Sequence, residues 1–532
     1  MDIENENVME IEIQKNGLGQ DELKIVGTYA GSVINELSNS FSVVNTGAFF
    51  ARQYGFKMPS KIFGVTPFGT FKIGLIFDVL KFLKANYSNI KITLTNEVKY
   101  EITKRLPLRE FAKLVYKGPE NISKEYEARD YQLEIIDAII TKGYGRCMFE
   151  CPTGSGKSFI IANLIYTLRN QYKKNLRSLL FLPNAQLVSQ FYKDLKDYGY
   201  NEFEVLEFSA TNYKKINKDR LKNASIIIAN RQFLFNHVNE LPKFDLMIID
   251  EVHSAVSHET AKTINDLDIP LKIGCSGTIP TDKSKYWNLL SLVGPIVYRE
   301  SITHLQEEGY LTNVNFTVIQ VKDHIVEADK NLLFNLHPNV RYSQDGESEI
   351  SFSDPYIAET NYMAKYCMEL YSPVLTSGQF MLSQNENTLI LFDRIEFGKA
   401  LFKYLSDIKF NGAEICYIDG SVPIADREKI RAMCEQKNNV ILIAQSSTMS
   451  TGINIKNMSN LIMTGSCKSQ SRIIQSIGRT LRLHKDKSHS NVIDIVYNYK
   501  YSKKHYAERR ELYKKYYNKS KPDETIKIEI NY

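Results

Sequence analysis

Cys147-Met-Phe-Glu-Cys-Pro-Thr-Gly-Ser-Gly-Lys-Ser-Phe-Ile-Ile-Ala-Asn-Leu-Ile165 decides the fold of this 532-residue chain. The apolar run Cys147–Phe149 reads as a strand and Ser158–Ile165 as a helix, so the loop between them joins strand to helix. Glycines at 154 and 156 let backbone N–H groups turn toward phosphate oxygens, and the helix N-terminus adds its positive end. Thr153, Gly154, Ser155 and Gly156 thus form a phosphate cradle. Lys157 would reach the β- and γ-phosphates of a nucleotide, and the Ser158 hydroxyl would hold Mg²⁺. Cys151 stands where the usual pattern opens with glycine. A chance glycine turn is the alternative; strand and helix on the correct sides argue against it.

A second apolar strand, Leu246–Ile249, runs into Asp250-Glu-Val-His253. Carboxylates at the end of such a strand lie at the C-terminal edge of a parallel sheet, where these sheets bind ligands. There Asp250 would join the Mg²⁺ shell and Glu251 would orient and deprotonate an attacking water. An isolated Asp-Glu pair could equally be a solvated turn; the lysine loop gives it a partner. Far downstream, Gln475-Ser-Ile-Gly-Arg-Thr-Leu-Arg482 places Gln475, Gly478, Arg479 and Arg482 within two helical turns, broadly on one face. Guanidiniums grip phosphate oxygens in a planar, bidentate way that lysine cannot. Alone they could also form a solvated helix face.

In this order the three segments resemble superfamily 2 helicases of the D-E-x-H kind. Further stretches match that family: Arg129-Asp-Tyr-Gln132 resembles its adenine-reading element, which implies base contacts by Gln132 beside Arg129. Leu182-Pro-Asn-Ala-Gln-Leu-Val-Ser-Gln190 and Ala229-Asn-Arg-Gln232 are similar to strand-gripping loops, which implies nucleic-acid contacts at Pro183, Gln190 and Gln232. Ser276-Gly-Thr278 is similar to the coupling element, with glycine for alanine; the resemblance gives Ser276, Thr278 and His253 a coupling role. Thr388–Phe392, Tyr417-Ile-Asp-Gly420 and Ser450-Thr-Gly-Ile-Asn454 resemble elements of a second motor domain. They imply a nucleic-acid contact at Thr451 and nucleotide contacts at Gly452 and Asn454. Gln475, Arg479 and Arg482 stand where the family keeps its arginine fingers. The implied fold is α/β: two tandem RecA-like parallel-sheet motor domains preceded by a small α+β N-terminal domain.

Composition agrees. The chain is long enough for two to four domains, and 43% hydrophobic content suffices for packed cores. No apolar run approaches a membrane span, and Met1–Asn7 lacks the features of a secretory signal. Seven scattered cysteines suit a reducing cytoplasm, in the host if the chain is phage-encoded. The net charge of +6 hides an asymmetry. Residues 1–41 carry 8 acidic and 2 basic side chains, whereas residues 42–117 carry 13 basic and 4 acidic ones. Arg52, Lys57 and Lys61 lie among Phe49, Phe50, Tyr54, Phe56, Phe63 and Phe68. Basic residues meet phosphate and aromatic faces stack bases, so nucleic-acid contact is expected; the alternative is core aromatics with solvated lysines.

Thr70–Tyr87 carries a helical apolar stripe, and Ile90–Leu94 alternates like a strand. Pro67-Phe-Gly69 before a lysine-bearing helix resembles the N-terminal domain of UvsW-type bacteriophage helicases. The expected boundaries are 1–118 for this domain with its acidic leader, 119–302 and 303–500 for the motors, and 501–532 for a basic C-terminal helix. That helix is either solvated or DNA-contacting. An insertion is expected at about 329–387. The resemblance implies an ATP- and Mg²⁺-dependent DNA helicase or translocase acting on single-stranded and branched DNA, including forks, junctions and R-loops with their RNA–DNA hybrids. It further implies recombination or single-strand-binding proteins as partners, and no membrane. RNA helicases and restriction-type double-stranded DNA translocases share the motor motifs and remain the alternative.

Overall fold

The computed structural model describes residues 9–17, 22–27, 30–45, 48, 55, 57–105, 116–143, 145–323, 338–342, 348–352, 355–377, 386–449, 455–464, 469–484, 487 and 489–530. They divide into two compact units, residues 1–151 with 157–299, and residues 152–156 with 300–532.

The first unit contains two larger sheets and an antiparallel pair, Ser42–Val44 with Lys61–Phe63. A small mixed sheet takes the order Thr70–Lys72, Glu22–Val26, Met9–Lys15, Ile90–Leu94, and only its last pair is parallel. The alternation in Ile90–Leu94 sets that strand as expected. The stripe over Thr70–Tyr87 becomes helical only from Ile73, as a 3₁₀ turn over Ile73–Leu75 that leads into helix Ile76–Asn86. The stripe's first residues pair antiparallel with Glu22–Lys24 and bury Phe71, so sheet pairing overrides the helical periodicity there. Helices Ala30–Ser40 and Ile76–Asn86 cover this core with Val33, Leu37, Val79 and Leu83. The same core receives Trp287 and Leu290 from helix Lys283–Leu292. Gly74 allows that approach, since a Cβ there would stand 2.2 Å from the Ser291 Cα.

The second sheet of this unit has seven strands, all parallel: Ile296–Arg299, Arg146–Glu150, Leu271–Ser276, Leu246–Asp250, Ser178–Leu182, Ile226–Asn230 and Val205–Phe208. These are near-continuous apolar runs, as burial on both faces demands. Helices Lys157–Gln171 and Ala185–Tyr198 are among those that flank them.

The second unit repeats the plan in the order Glu414–Ile418, Val440–Gln445, Thr388–Phe392, Asn460–Met463, His489–Tyr497, Asn313–Asp323, Glu524–Ile530, again all parallel. Both units are therefore RecA-like. Residues 355–377, placed by the sequence inside an insertion, form helices Pro355–Lys365 and Cys367–Ser377. Their Tyr362, Leu370 and Tyr371 belong to the core of this sheet. The C-terminal segment is helix Lys500–Tyr517 followed by edge strand Glu524–Ile530. Ser502, His505, Arg509, Tyr513 and Tyr517 form the helix's buried face. Among the described residues no helix is long and apolar enough to cross a membrane.

That helix is anchored by a buried ion pair. Arg509 Nε and Nη2 donate to Asp494 at 2.8 and 2.7 Å, and the Tyr513 hydroxyl donates to the same carboxylate at 2.8 Å. The pair's side chains are 0% and 1% exposed. Removing one partner strands the other charge away from water. Arg509→Ala is therefore expected to destabilise the second unit by about 3–5 kcal/mol in urea unfolding. A loss below about 1 kcal/mol would match a surface pair instead.

Candidate functional site

The central strand of the first seven-stranded sheet ends in Asp250, which is buried. Glu251 follows in the left-handed region, at φ 49° and ψ 50°. A non-glycine residue held there costs roughly 1–3 kcal/mol and persists only where its surroundings enforce it. Two hydrogen bonds and one ion-pair contact show the enforcement. Ser276 Oγ lies 3.0 Å from Glu251 Oε2, His253 Nδ1 lies 2.8 Å from Ser276 Oγ, and His253 Nδ1 lies 3.2 Å from Glu251 Oε2. Ser276 Oγ also accepts from the Thr278 amide at 3.0 Å. Of the residues expected to couple, His253 and Ser276 thus reach Glu251, and the Thr278 amide joins them only through Ser276 Oγ.

The two carboxylates respond in opposite directions. Burial, reinforced by the like charge of Glu251, raises the Asp250 pKa, while Lys157 and the Cys275 thiol oppose this. Burial also works against the Glu251 carboxylate, but His253, Lys157 and Ser276 together outweigh it and hold its pKa below the usual range. The net effect favours the charged form of Glu251.

The phosphate loop supplies the facing cation. Gly154 and Gly156 take φ values of 92° and 78°, which the cradle requires and which only glycine adopts readily. Lys157 begins helix Lys157–Gln171, and its Nζ donates to the Cys151 carbonyl at 3.2 Å. The backbone of Thr153–Ser155 leads into it, with Ser155 Oγ donating to the Pro152 carbonyl at 2.7 Å. Ser158 Oγ lies 3.0 Å from the Tyr198 hydroxyl. The Ser158 hydroxyl and the Asp250 carboxylate are hard oxygen donors. Together they fit Mg²⁺, which takes one or two protein oxygens and completes its shell with water and substrate phosphates. Among the described residues no group of three or more His, Cys, Asp or Glu could hold a metal by itself.

Gln132 sits in the first turn of helix Asp130–Thr141, where its Oε1 accepts from the Arg129 amide at 3.1 Å. Arg129 Nη1 reaches the Tyr131 hydroxyl at 3.3 Å. Pro183 precedes Asn184, whose side chain caps helix Ala185–Tyr198, and Gln190 lies half-buried on that helix. Gln232 is exposed on helix Arg231–His237. Lys57 and Lys61 are exposed in the N-terminal domain, whereas Arg52 lies outside the described residues.

In the second unit, Gln475 is buried on helix Gln470–Thr480 and Arg479 occupies its last turn. The sequence places Arg482 on the same helix. The helix ends at Thr480 with Leu481 as its cap, so Arg482 projects from the segment beyond. Thr451, Gly452 and Asn454 lie outside the described residues.

The motif reading did not single out Cys275, whose Sγ donates to Asp250 Oδ1 at 3.3 Å. The parallel register pairs Asp250 with Cys275, so the cysteine immediately before Ser276 is the residue beside that carboxylate. Nor did it find Glu150, which accepts from the Ile279 amide at 3.1 Å and from Arg299 at 2.7 Å. Glu150 thereby pins the segment after Thr278. No sequence pattern marks either contact before the sheet order is known.

A family model described as "Type III restriction enzyme, res subunit" matches residues 125–281, and one described as "Helicase conserved C-terminal domain" matches residues 370–484. With two RecA-like sheets and the site above, the chain belongs to the superfamily 2 helicases, which are ATP-dependent enzymes. It is similar to the ATP-dependent DNA helicase uvsW of Enterobacteria phage T4, at 24% identity over 392 residues, 72% of this chain and 70% of that protein. A DNA 3'-5' translocase XPB2 from Sulfurisphaera tokodaii is 27% identical over 185 residues, 35% of this chain and 38% of that protein. Among solved structures, the ATP-dependent Type ISP restriction-modification enzyme LlaBIII bound to DNA shares the fold. Its TM-score is 0.52 at 14% identity, covering 86% of this chain and 36% of that one.

Ser276→Ala removes one donor from Glu251 and leaves the phosphate loop intact. Equilibrium nucleotide binding should be unchanged. A hydrogen bond to a charged group is worth roughly 1.5–3 kcal/mol, so single-turnover hydrolysis should slow by at least about tenfold. Wild-type hydrolysis in this variant would separate Ser276 from any role through Glu251.

Proposed function

We propose that this helicase couples ATP hydrolysis to translocation on DNA, unwinding or migrating branched substrates such as forks, four-way junctions and R-loops. The observation that carries the proposal is the bonded chain Glu251–Ser276–His253, which ties the water-activating carboxylate to the segment leading to Thr278. Hydrolysis at one end of that chain can therefore alter the loops that hold nucleic acid.

Each residue has a distinct task. The cradle Thr153–Gly156 and Lys157 bind the triphosphate, with Gln132 and Arg129 at the base. Ser158 and Asp250 would hold Mg²⁺, which would offset phosphate charge. Glu251, kept ionised by His253, Lys157 and Ser276, accepts the proton of the attacking water. Arg479 and Arg482 stabilise the charge that develops on the transferred phosphoryl group, with Gln475 beside them and Gly452 and Asn454 as further nucleotide contacts. Pro183, Gln190, Gln232 and Thr451 grip the strand. Nucleic acid favours the state in which the arginines engage, and hydrolysis releases it, so the grip steps along the strand.

DNA is favoured over RNA because uvsW of phage T4 is named a DNA helicase and the Sulfurisphaera relative a DNA translocase. The basic, aromatic stretch 42–117 gives a further place for duplex or branched DNA, with Lys57 and Lys61 exposed there and Arg52 in the same stretch.

Arg479→Ala tests the proposal. It should bind ATP normally and lose nucleic-acid-stimulated hydrolysis by about 10³-fold or more, the scale of an arginine finger. Unchanged stimulated turnover would sink it. Glu251→Gln should bind ATP and accumulate a stable DNA-bound state, whereas wild-type turnover there would refute Glu251 as the base.

A further inference from the structure

A buried cation lies just past the arginine-bearing segment. Lys487 is 8% exposed, and its Nζ donates to the carbonyls of Met458 at 3.0 Å, Arg482 at 3.0 Å, and Thr480. Thr480 ends helix Gln470–Thr480, and Arg482 is one of the two guanidinium residues themselves. The carbonyl between them, on Leu481, accepts from Thr312 N at 2.8 Å and Thr312 Oγ1 at 3.0 Å. Ser490 Oγ donates to the Thr480 carbonyl and lies 2.9 Å from Thr312 Oγ1. Three successive carbonyls at an open helix end are thus all held, two of them by one ammonium. Met458 adds a second tether, four residues beyond Asn454.

A helix C-terminus attracts a cation, and lysine can bond its last carbonyls. Burying an ammonium nevertheless disfavours its charge. Desolvation and the neighbouring Arg482 charge pull the Lys487 pKa down to about 7, with Glu386 opposing. An apolar side chain would fill such a site without that penalty. What it could not do is bond carbonyls from two separate segments at once.

We propose that Lys487 is a positioning residue that ties the segment Arg479–Arg482 to the chain at Met458, so that both guanidiniums are presented in fixed orientation. This rests on the reading of Arg479 and Arg482 as the groups that complete ATP hydrolysis. Thr312 and Ser490 hold the same helix end from the strands Asn313–Asp323 and His489–Tyr497, the first adjoining Thr312 and the second containing Ser490.

Lys487→Met in the full chain tests it, measured by nucleic-acid-stimulated kcat, ATP affinity, and hydrogen exchange of peptides spanning 470–484 and 388–392. Misplacement by an ångström can cost about 10²-fold, so a 10- to 100-fold fall in kcat is expected with ATP affinity unchanged. Exchange should quicken in 470–484 and stay as in the wild type in 388–392. Wild-type kcat in folded Lys487→Met overturns the proposal. So does a fall matched by lost ATP affinity or by faster exchange in both peptides, which would mark a lysine that merely supports the fold. Should Lys487→Met not fold, Thr312→Val, which removes one donor to Leu481, is read by the same criteria and decides. Exchange does not depend on turnover. If Arg479→Ala proves fully active, the arginine reading falls while the exchange pattern still judges the lock.

Discussion

Two adjacent carboxylates at the end of one buried strand are the constraint on which the first unit depends. Asp250 and Glu251 would repel each other in so dry a place, and the surrounding sheet resolves the conflict by giving them different neighbours. Glu251 is turned into a left-handed conformation, where Ser276 and His253 reach it. Asp250 stays in line with the strand beside Cys275 and faces the Lys157 charge. The charged form is thereby favoured at Glu251 and disfavoured at Asp250. That division arises from strand order: Leu271–Ser276 must lie next to Leu246–Asp250 for Ser276 to arrive at all.

The second unit uses different means for the same purpose. Its arginines stand at a helix end, where backbone carbonyls are open and the chain is prone to fray. Lys487, Thr312 and Ser490 occupy those carbonyls. The C-terminal helix then lies against strand His489–Tyr497 through Arg509 and Asp494. Orientation of the arginines is thus supported by hydrogen bonds from residues that carry no motif.

Much of this was legible in the sequence where a local pattern carries its own physics. The strands around Cys147–Phe149 and Leu246–Ile249 and the helix after the phosphate loop follow from apolar runs and glycine placement. Ile90–Leu94 follows from alternation. What escaped were features set by partners distant in sequence. Thr70–Lys72 has the periodicity of a helix start, but Glu22–Lys24 claims it as a strand. Helix Lys500–Tyr517 looks basic all round because its buried face is built of tyrosine, histidine and Arg509 rather than leucine. Its solvent-facing and buried cations cannot be told apart before Asp494 is placed. Arg482 falls just outside the helix on which the Gln475–Arg482 spacing places it, because the helix closes at Leu481. Lys157, Asp250, Glu251, His253, Ser276 and Thr278 come together in the first unit, whereas Cys275 and Glu150 there, and Lys487 in the second unit, became visible only with the topology.

The central claim is that ATP turnover by this chain is conditional on DNA. Steady-state ATP hydrolysis by the full chain, compared without nucleic acid, with single-stranded DNA, with forked and four-way DNA and with duplex RNA, measures it directly. Low basal turnover with strong stimulation by DNA, greatest for the branched forms, is the predicted result. Turnover that is indifferent to nucleic acid, or stimulated by RNA alone, would contradict it.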